Sequence, residues 1–203
     1  TGYPEGGCIA ITNAYLDGIR KFGGEIRLKT EVEKILIAKN RAVGVIAGGK
    51  RYAADMIIAN GDIKQAVLNL VGPEYFDGEY VESIRNLQYS WGCPVLRIAL
   101  DEPVTDIKML SQFGEVGQER YYDKLKNSIM PESLNLFMVV PSNFSSLVAP
   151  EGRQLISIAS SMPTDTPREF LKAIKEKMLD TIENFVPEIR KHIMWMDFMS
   201  IDA

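Results

Sequence analysis

The stretch that most constrains this chain is residues 24–62, GEIRLKTEVEKILIAKNRAVGVIAGGKRYAADMIIANGD. Within it Ile26, Leu28, Thr30 and Val32 alternate with Glu25, Arg27, Lys29 and Glu31. A period of two predicts a strand with one wet face. The parity then slips, because the next apolar alternates are Ile35 and Ile37. One extra residue in one strand, a β-bulge, produces such a slip. Lys39-Asn40-Arg41 reads as a turn, Val43 and Val45 as a returning strand, and Gly48-Gly49 as a second turn. Met56-Ile57-Ile58-Ala59 does not alternate. A short continuous apolar run predicts a strand covered on both faces, as in a layered α/β sheet. It leads into Asn60-Gly61-Asp62, where Asp62 is placed to cap a helix over 63–70 and Gly72-Pro73 to end it.

The flanking segments have their own periods. Ile11, Tyr15, Ile19 and Phe22 form one stripe of a helix over 9–22, which Gly23-Gly24 stops. Beyond Pro73 a helix is expected at 80–87. Strands are expected at 95–100, 107–113, 134–140 and 154–160, with a helix at 119–127. Short strands in series favour an antiparallel sheet. The region 167–186 is the clearest helix. Thr166 reads as its N-cap, Pro167 as its first residue and Glu169 as the partner in a capping box. Phe170, Ile174, Met178 and Ile182 give it an i+4 ladder.

Composition narrows the function classes. The chain has 203 residues, of which 46% are hydrophobic and 25% charged, so it can bury a sizeable core. Net charge is -4 with no basic block, which argues against nucleic acid as a partner. Cys8, Cys93 and His192 have no metal-ligand spacing, so no metal site and no cysteine–histidine pair is expected. Low cysteine use fits a reducing compartment such as the cytoplasm. No apolar run reaches the roughly 18–20 residues that span a bilayer. The start lacks an initiator Met and the charged and apolar regions of a signal peptide. Both ends read as cut from a longer chain.

Several motifs in this order resemble the FAD-dependent phytoene desaturase, carotenoid isomerase and retinol saturase group of flavin oxidoreductases. Tyr3-Pro4-Glu5-Gly6-Gly7 resembles the P-x-G-G loop of that group, and Phe22-Gly23-Gly24-Glu25-Ile26 its G-G-E-I junction. Val32 with Ile35 resembles its V-x-x-I step. Residues 54–62, ADMIIANGD, resemble its A-D-x-V-I-x-N-x-D strand end. Ala149-Pro150-Glu151-Gly152 before an apolar run resembles its A-P-x-G. The resemblance covers most of the chain and is specific in the first third.

The resemblance implies an α/β to α+β protein. A partial, Rossmann-like FAD-domain segment with its preceding helix (1–72) would be joined to a substrate domain of mixed, largely antiparallel sheet and helices (73–203). The implied activity is flavin hydride transfer that desaturates, saturates or isomerises an apolar polyene or isoprenoid, with a membrane-facing mouth. The location is then the cytoplasm or a membrane surface. The implied cofactor is FAD, whose pyrophosphate such proteins seat on a G-x-G-x-x-G turn. This chain contains no such motif. It is therefore expected to be an inactive middle piece that does not hold FAD by itself. Two other readings stay open: a flavin amine oxidase or protoporphyrinogen oxidase type of enzyme, and a noncatalytic module that binds apolar ligands. The mark of the last would be a closed pocket with no open strand edge.

By the same resemblance, the backbone of Val32 faces the adenine of FAD, and Asn60 and Gly61 sit at a strand end where cofactors collect. Tyr3, Pro4, Gly6 and Gly7 form a loop near flavin and substrate. The ordinary readings are a buried valine at a bulge, a turn into a helix, and a surface turn. Trp91, Cys93 and Pro94, with Met194, Trp195, Met196, Phe198 and Met199, either line an apolar tunnel or belong to the core. Asp101 and Glu102 are expected on opposite sides of a strand exit, and His192 to be partly exposed. No side chain is assigned a catalytic role, since in such enzymes the flavin carries the redox step.

Overall fold

The computed structural model describes residues 3–114 and 118–200. It contains two compact units, one formed by 1–18 with 89–203 and the other by 19–88. These lines are drawn by compactness. The expected division at residue 72/73 concerns which part serves flavin and which serves substrate.

The smaller unit is built on a three-stranded meander, β1 (Val32–Ala38), β2 (Arg41–Ala47) and β3 (Lys50–Ala53), in the order β1-β2-β3 with antiparallel pairing. Both turns have two residues with positive φ: Lys39 and Asn40 at 50° and 59°, Gly48 and Gly49 at 55° and 70°. Such turns match the twist of the strands they join. The parity slip read from the sequence is real, because the register shifts between Val32 and Lys34. A second shift falls between Leu36 and Ile37. A Cβ on Gly44, in the middle of β2, would collide with the carbonyl oxygen of Tyr52 on β3. That close approach is why this position holds glycine.

Two expectations in this unit are corrected. Residues 26–31 alternate as a strand would but form none. Lys29 has φ 53°, which bends the chain, and Leu28 is 80% exposed. Residues 56–59 are extended but belong to no sheet among the described residues, and Met56 and Ile58 are exposed. An apolar run becomes a buried strand only where neighbouring strands take its backbone hydrogen bonds. After it, Asp62 Oδ1 accepts from the backbone N–H of Lys64 at 2.6 Å, as a cap should. The helix it starts widens into a π-helical turn, Gln65–Val71, that ends at Gly72. Asp77 then caps α2 (Gly78–Arg85) by accepting from Glu79 N and Tyr80 N. The helix α1 (Ile9–Lys21) forms as expected, but its stripe of Ile11, Tyr15 and Ile19 is exposed.

The larger unit is a five-stranded antiparallel sheet in the order β5-β6-β7-β4-β8. Its strands are β4 (Val95–Leu100), β5 (Met109–Gln112), β6 (Leu136–Val139), β7 (Gln154–Ser160) and β8 (Ile193–Met199). Two helices accompany it, α3 (Gln118–Lys126) and α4 (Arg168–Glu183). One face of the sheet carries Leu96, Ile98, Leu100, Met138, Ile156 and Ile158, all 0% exposed. They share a core with Ile174, Met178 and Ile182 of α4 and with Tyr121 and Leu125 of α3. The i+4 ladder of α4 is thus the inward stripe. Its start differs from expectation. The N-cap is Pro167, without a side-chain bond, while Thr166 Oγ1 donates to Pro163 O and Glu169 pairs with Lys172. With the helix starting at Arg168, Glu169 falls at the second helical position and not at the third that a capping box requires. At the far end of α4, Arg190 contacts Glu176, Asp180 and Glu183 and fastens the helix to the chain that enters β8.

Ile174→Ala should destabilise the larger unit by about 2–5 kcal/mol, measured by urea unfolding, because it opens a cavity under the sheet. Gly44→Ala should loosen the meander and raise amide exchange in β2 and β3. Unchanged exchange in that variant would show that the Tyr52 carbonyl moves aside without loosening the ladder.

Candidate functional site

In the smaller unit, Val32 opens β1 and is 37% exposed. The ordinary reading of a buried valine therefore does not hold. β1 is an edge strand, paired only with β2 among the described residues. Its outer backbone N–H and C=O groups have no strand opposite them. Glu33, inside the register shift, accepts from Gly49 N at 2.8 Å, which ties the bulge to the next turn. Asn60 and Gly61 are exposed, and a Cβ at Gly61 would meet open space. Gly61 is thus not required sterically in this fold. The 56–59 segment does approach β1. Ile35, Ile37, Ile57, Ala59, Val67 and Tyr75 line one apolar cleft of ≈ 360 Å³.

In the larger unit, the loop that opens the chain is well formed. Gly7 N donates to Pro4 O at 3.0 Å, closing a turn. Gly6 N donates to Ser145 Oγ at 3.4 Å. Tyr3 stacks on Phe144 with centroids 5.1 Å apart, and Lys108 Nζ lies 5.6 Å from the centroid of the same ring. Burial, with the nearby Cys8, pushes the Tyr3 phenol above its ordinary pKa. Gly7 has φ 85°, and a Cβ there would stand 3.2 Å from Val148 Cγ1. Backbone and space both demand glycine. Tyr3, Pro4, Gly6 and Gly7 therefore sit together against residues 144–148. The cofactor candidates Val32, Asn60 and Gly61 lie in the other unit.

The second face of the five-stranded sheet is the feature that the sequence reading missed. Its rows follow from the register. One row runs Met199, Val95, Ala159, Phe137, Ser111. The next runs Asp197, Arg97, Ser157, Val139, Met109. Trp195, Ala99 and Leu155 start a third. Most of these residues are apolar, and Trp195, Met109, Phe137 and Met199 are 43–52% exposed. A solvated sheet face normally alternates to polar residues. At one end, Cys93, Ser111, Gln112, Tyr122, Phe137 and Ser161 help line a pocket of ≈ 380 Å³. The Met-rich tail divides between the two faces. Met196 and Phe198 pack on the core, and Trp195 and Met199 stand on the open side. Trp91 packs edge-on to Tyr122 at 4.6 Å.

The acidic pair is also corrected. β4 ends at Leu100, so Asp101 and Glu102 no longer alternate. Both reach one imidazole: His192 Nδ1 is 2.9 Å from Asp101 Oδ1 and 3.4 Å from Glu102 Oε1. With Asp101 N donating to His192 O at 2.9 Å and Arg153 donating to Asp101 O, this cluster ties the end of β4 to the start of β8. Close by, the nearly buried Gln154 donates to Thr105 O and Asn143 Oδ1 and accepts from Val104 N. That network holds the crossing loop under the sheet. Nothing in the spacing of these residues announces it.

A three-stranded meander with an open edge and a sheet with one apolar, partly exposed face are the two parts of this fold that carry the candidate site residues. No family model matches the chain. It is similar to a phytoene desaturase of Cercospora nicotianae, at 27% identity over 77% of this chain and 25% of that protein. It is also similar to a 4,4'-diapophytoene desaturase of a Methylomonas species, at 25% identity over 93% of this chain and 38% of that protein. The chain thus spans well under half the length of these curated relatives. Among solved structures it resembles an oxidoreductase from Methanosarcina mazei, with TM-score 0.68, 25% identity and coverage of 96% of this chain and 42% of that one. A protein from Pyrococcus furiosus shares the fold at TM-score 0.64 and 20% identity. The chain is a distant homologue of the phytoene and diapophytoene desaturases, and its fold is shared with part of the Methanosarcina mazei oxidoreductase.

Gly7→Val should disorder the 3–7 loop and release Tyr3 from Phe144. The loss of ring-current shifts at Phe144 in NMR spectra is the expected sign. An unchanged stack would show that the loop conformation does not depend on glycine.

Proposed function

We propose that this chain is the substrate-binding part, with an adjoining piece of the cofactor domain, of an FAD-dependent oxidoreductase acting on an apolar polyene or isoprenoid. The observation that carries this reading is the uncovered apolar face of the five-stranded sheet, in a chain homologous to carotenoid desaturases. The residues present fit the adenine end of FAD, because the β1 edge offers backbone donors and acceptors without requiring a particular side chain. Val32 would present that edge, and Asn60 and Gly61 would lie beside the cofactor. FAD supplies hydride transfer to or from the substrate carbon.

The chain itself positions and desolvates. The row from Met199 to Ser111 gives a long apolar bed that excludes water from the polyene. Its methionines and aromatic rings adapt to an elongated ligand. The 3–7 loop, held by Ser145 and Phe144, would offer backbone N–H groups of Gly6 and Gly7 near the reacting segment. Among the described residues no helix is long and apolar enough to cross a membrane. The open β1 edge speaks against the reading as a self-contained binding module, and the apolar bed against a polar amine as substrate.

The 203-residue chain, purified after expression, should be colourless, because it has no glycine-rich phosphate turn. Flavin bound at about one per chain would overturn that assignment. In the complete flavoprotein, Val32→Pro removes one backbone N–H and should lower FAD retention on gel filtration. Full retention by a folded variant would remove Val32 from the site. Phe137→Asp places a charge on the apolar bed and should weaken binding of an all-trans hydrocarbon polyene at least about tenfold. Unchanged binding would refute the role of this face.

A further inference from the structure

One cross-strand pair interrupts the apolar face of the five-stranded sheet. Arg97 on β4 and Asp197 on β8 lie directly opposite each other, and Arg97 Nη2 donates to Asp197 Oδ2 at 2.7 Å. On β4, apolar Val95 and Ala99 flank the pair along this face; on β8, Trp195 and Met199 do so. Fixing an edge strand does not require charge here, since a half-exposed ion pair adds little stability. An apolar ligand laid over it, on the other hand, would strip water from two charges and gain nothing in return. The placement becomes favourable if the ligand brings its own polar group to that point.

The chemistry of the pair says which group. One arm of the guanidinium fork is engaged by Asp197, and the remaining donors have no protein partner among the described residues. Asp197 keeps free acceptor capacity. The two side chains are 47% and 39% exposed, so a ligand can reach both. Together they offer a donor and an acceptor side by side with no net charge. A hydroxyl, which accepts and donates at one oxygen, satisfies both. A carboxylate would meet the Asp197 charge, and a hydrocarbon would leave both unsatisfied.

We propose that Arg97 and Asp197 are specificity determinants for an elongated apolar ligand that ends in a hydroxyl. The oxygen sits at the pair, and the chain runs across Ser157 and Val139 toward Met109. Three strand spacings separate Arg97 from Met109 along that row, about 14 Å of bed. This deepens the reading above and rests on it, since it assumes that the face holds the substrate.

The test uses the 203-residue chain and three probes of one length: trans-parinaric acid, which is a conjugated tetraene, its corresponding alcohol, and the corresponding hydrocarbon. Binding is read from the rise in polyene fluorescence on leaving water. The alcohol should bind about tenfold more tightly than the hydrocarbon, as one or two net hydrogen bonds provide, and more tightly than the acid. Replacing both, Arg97→Leu with Asp197→Leu, should bring the alcohol to the level of the hydrocarbon while hydrocarbon binding is kept or improved, since removing Arg97 alone would leave the Asp197 charge unpaired on the bed. Equal affinity of the wild-type chain for alcohol and hydrocarbon overturns the proposal and leaves the apolar bed standing. Failure of all three probes to bind overturns the bed, and this proposal with it. A preference that survives the double replacement also overturns the proposal. Should that variant fail to fold by circular dichroism, Asp197→Asn decides: a several-fold loss of preference supports the pair, and an unchanged preference refutes it.

Discussion

Everything in the larger unit depends on the one-sided burial of its sheet against α4. Along β7 the side chains of Gln154, Ile156, Ile158 and Ser160 turn inward, and Leu155, Ser157 and Ala159 turn away. Ile156 and Ile158 meet Ile174, Met178 and Ile182 in one continuous core. Burying side chains of this size stabilises by roughly 1.5–3 kcal/mol each, before the entropy of ordering them is subtracted. Because the helices of the core take only one face, the other is left for something else. Strand polarity makes that division complete: a residue serves the core or the open face, never both.

The polar groups inside this unit are there to hold its edges. Gln154 satisfies three backbone or amide partners where the chain crosses from β4 toward β5. His192 with Asp101 and Glu102 ties the last strand to β4 at its start, and Arg190 binds the approach to that strand to α4. The apolar face can therefore run to the very edge of the sheet at Trp195 and Met199 without the edge strand fraying. A rigid bed of this kind suits a long ligand that has few polar handles, and it fits the kinship with carotenoid desaturases.

Much of the local structure was legible in the residues. Turns at Lys39-Asn40 and Gly48-Gly49, the bulge after Val32, the cap at Asp62 and strand β7 all follow from backbone preferences or from short periods. The failures share a cause. Residues 26–31 alternate like a strand, and 56–59 read like a buried one, yet a strand exists only with a partner, and none is present for either among the described residues. Thr166 was a sound cap candidate, but the helix starts one residue later than expected, and its hydroxyl donates to Pro163 O instead. Asp101 and Glu102 would point apart in a strand. The strand ends one residue earlier, so both turn to His192.

The residues alone pointed to the relatives of this chain. The order of the P-x-G-G loop, the G-G-E-I junction, the V-x-x-I step at Val32 and the A-D-x-V-I-x-N-x-D strand end resembles flavin oxidoreductases of the desaturase type, because such motifs encode backbone conformations that are set locally. They also named Val32, Asn60 and Gly61 as candidates for the cofactor. Only the tertiary structure decided which side of the apolar strands is buried. Which face of a sheet is covered depends on where a helix some tens of residues away comes to rest. Whether Arg97 meets Asp197 depends on a pairing across a hundred residues of chain. Periodicity reports that a side chain alternates, while the contact that gives the alternation its meaning is made by another part of the molecule.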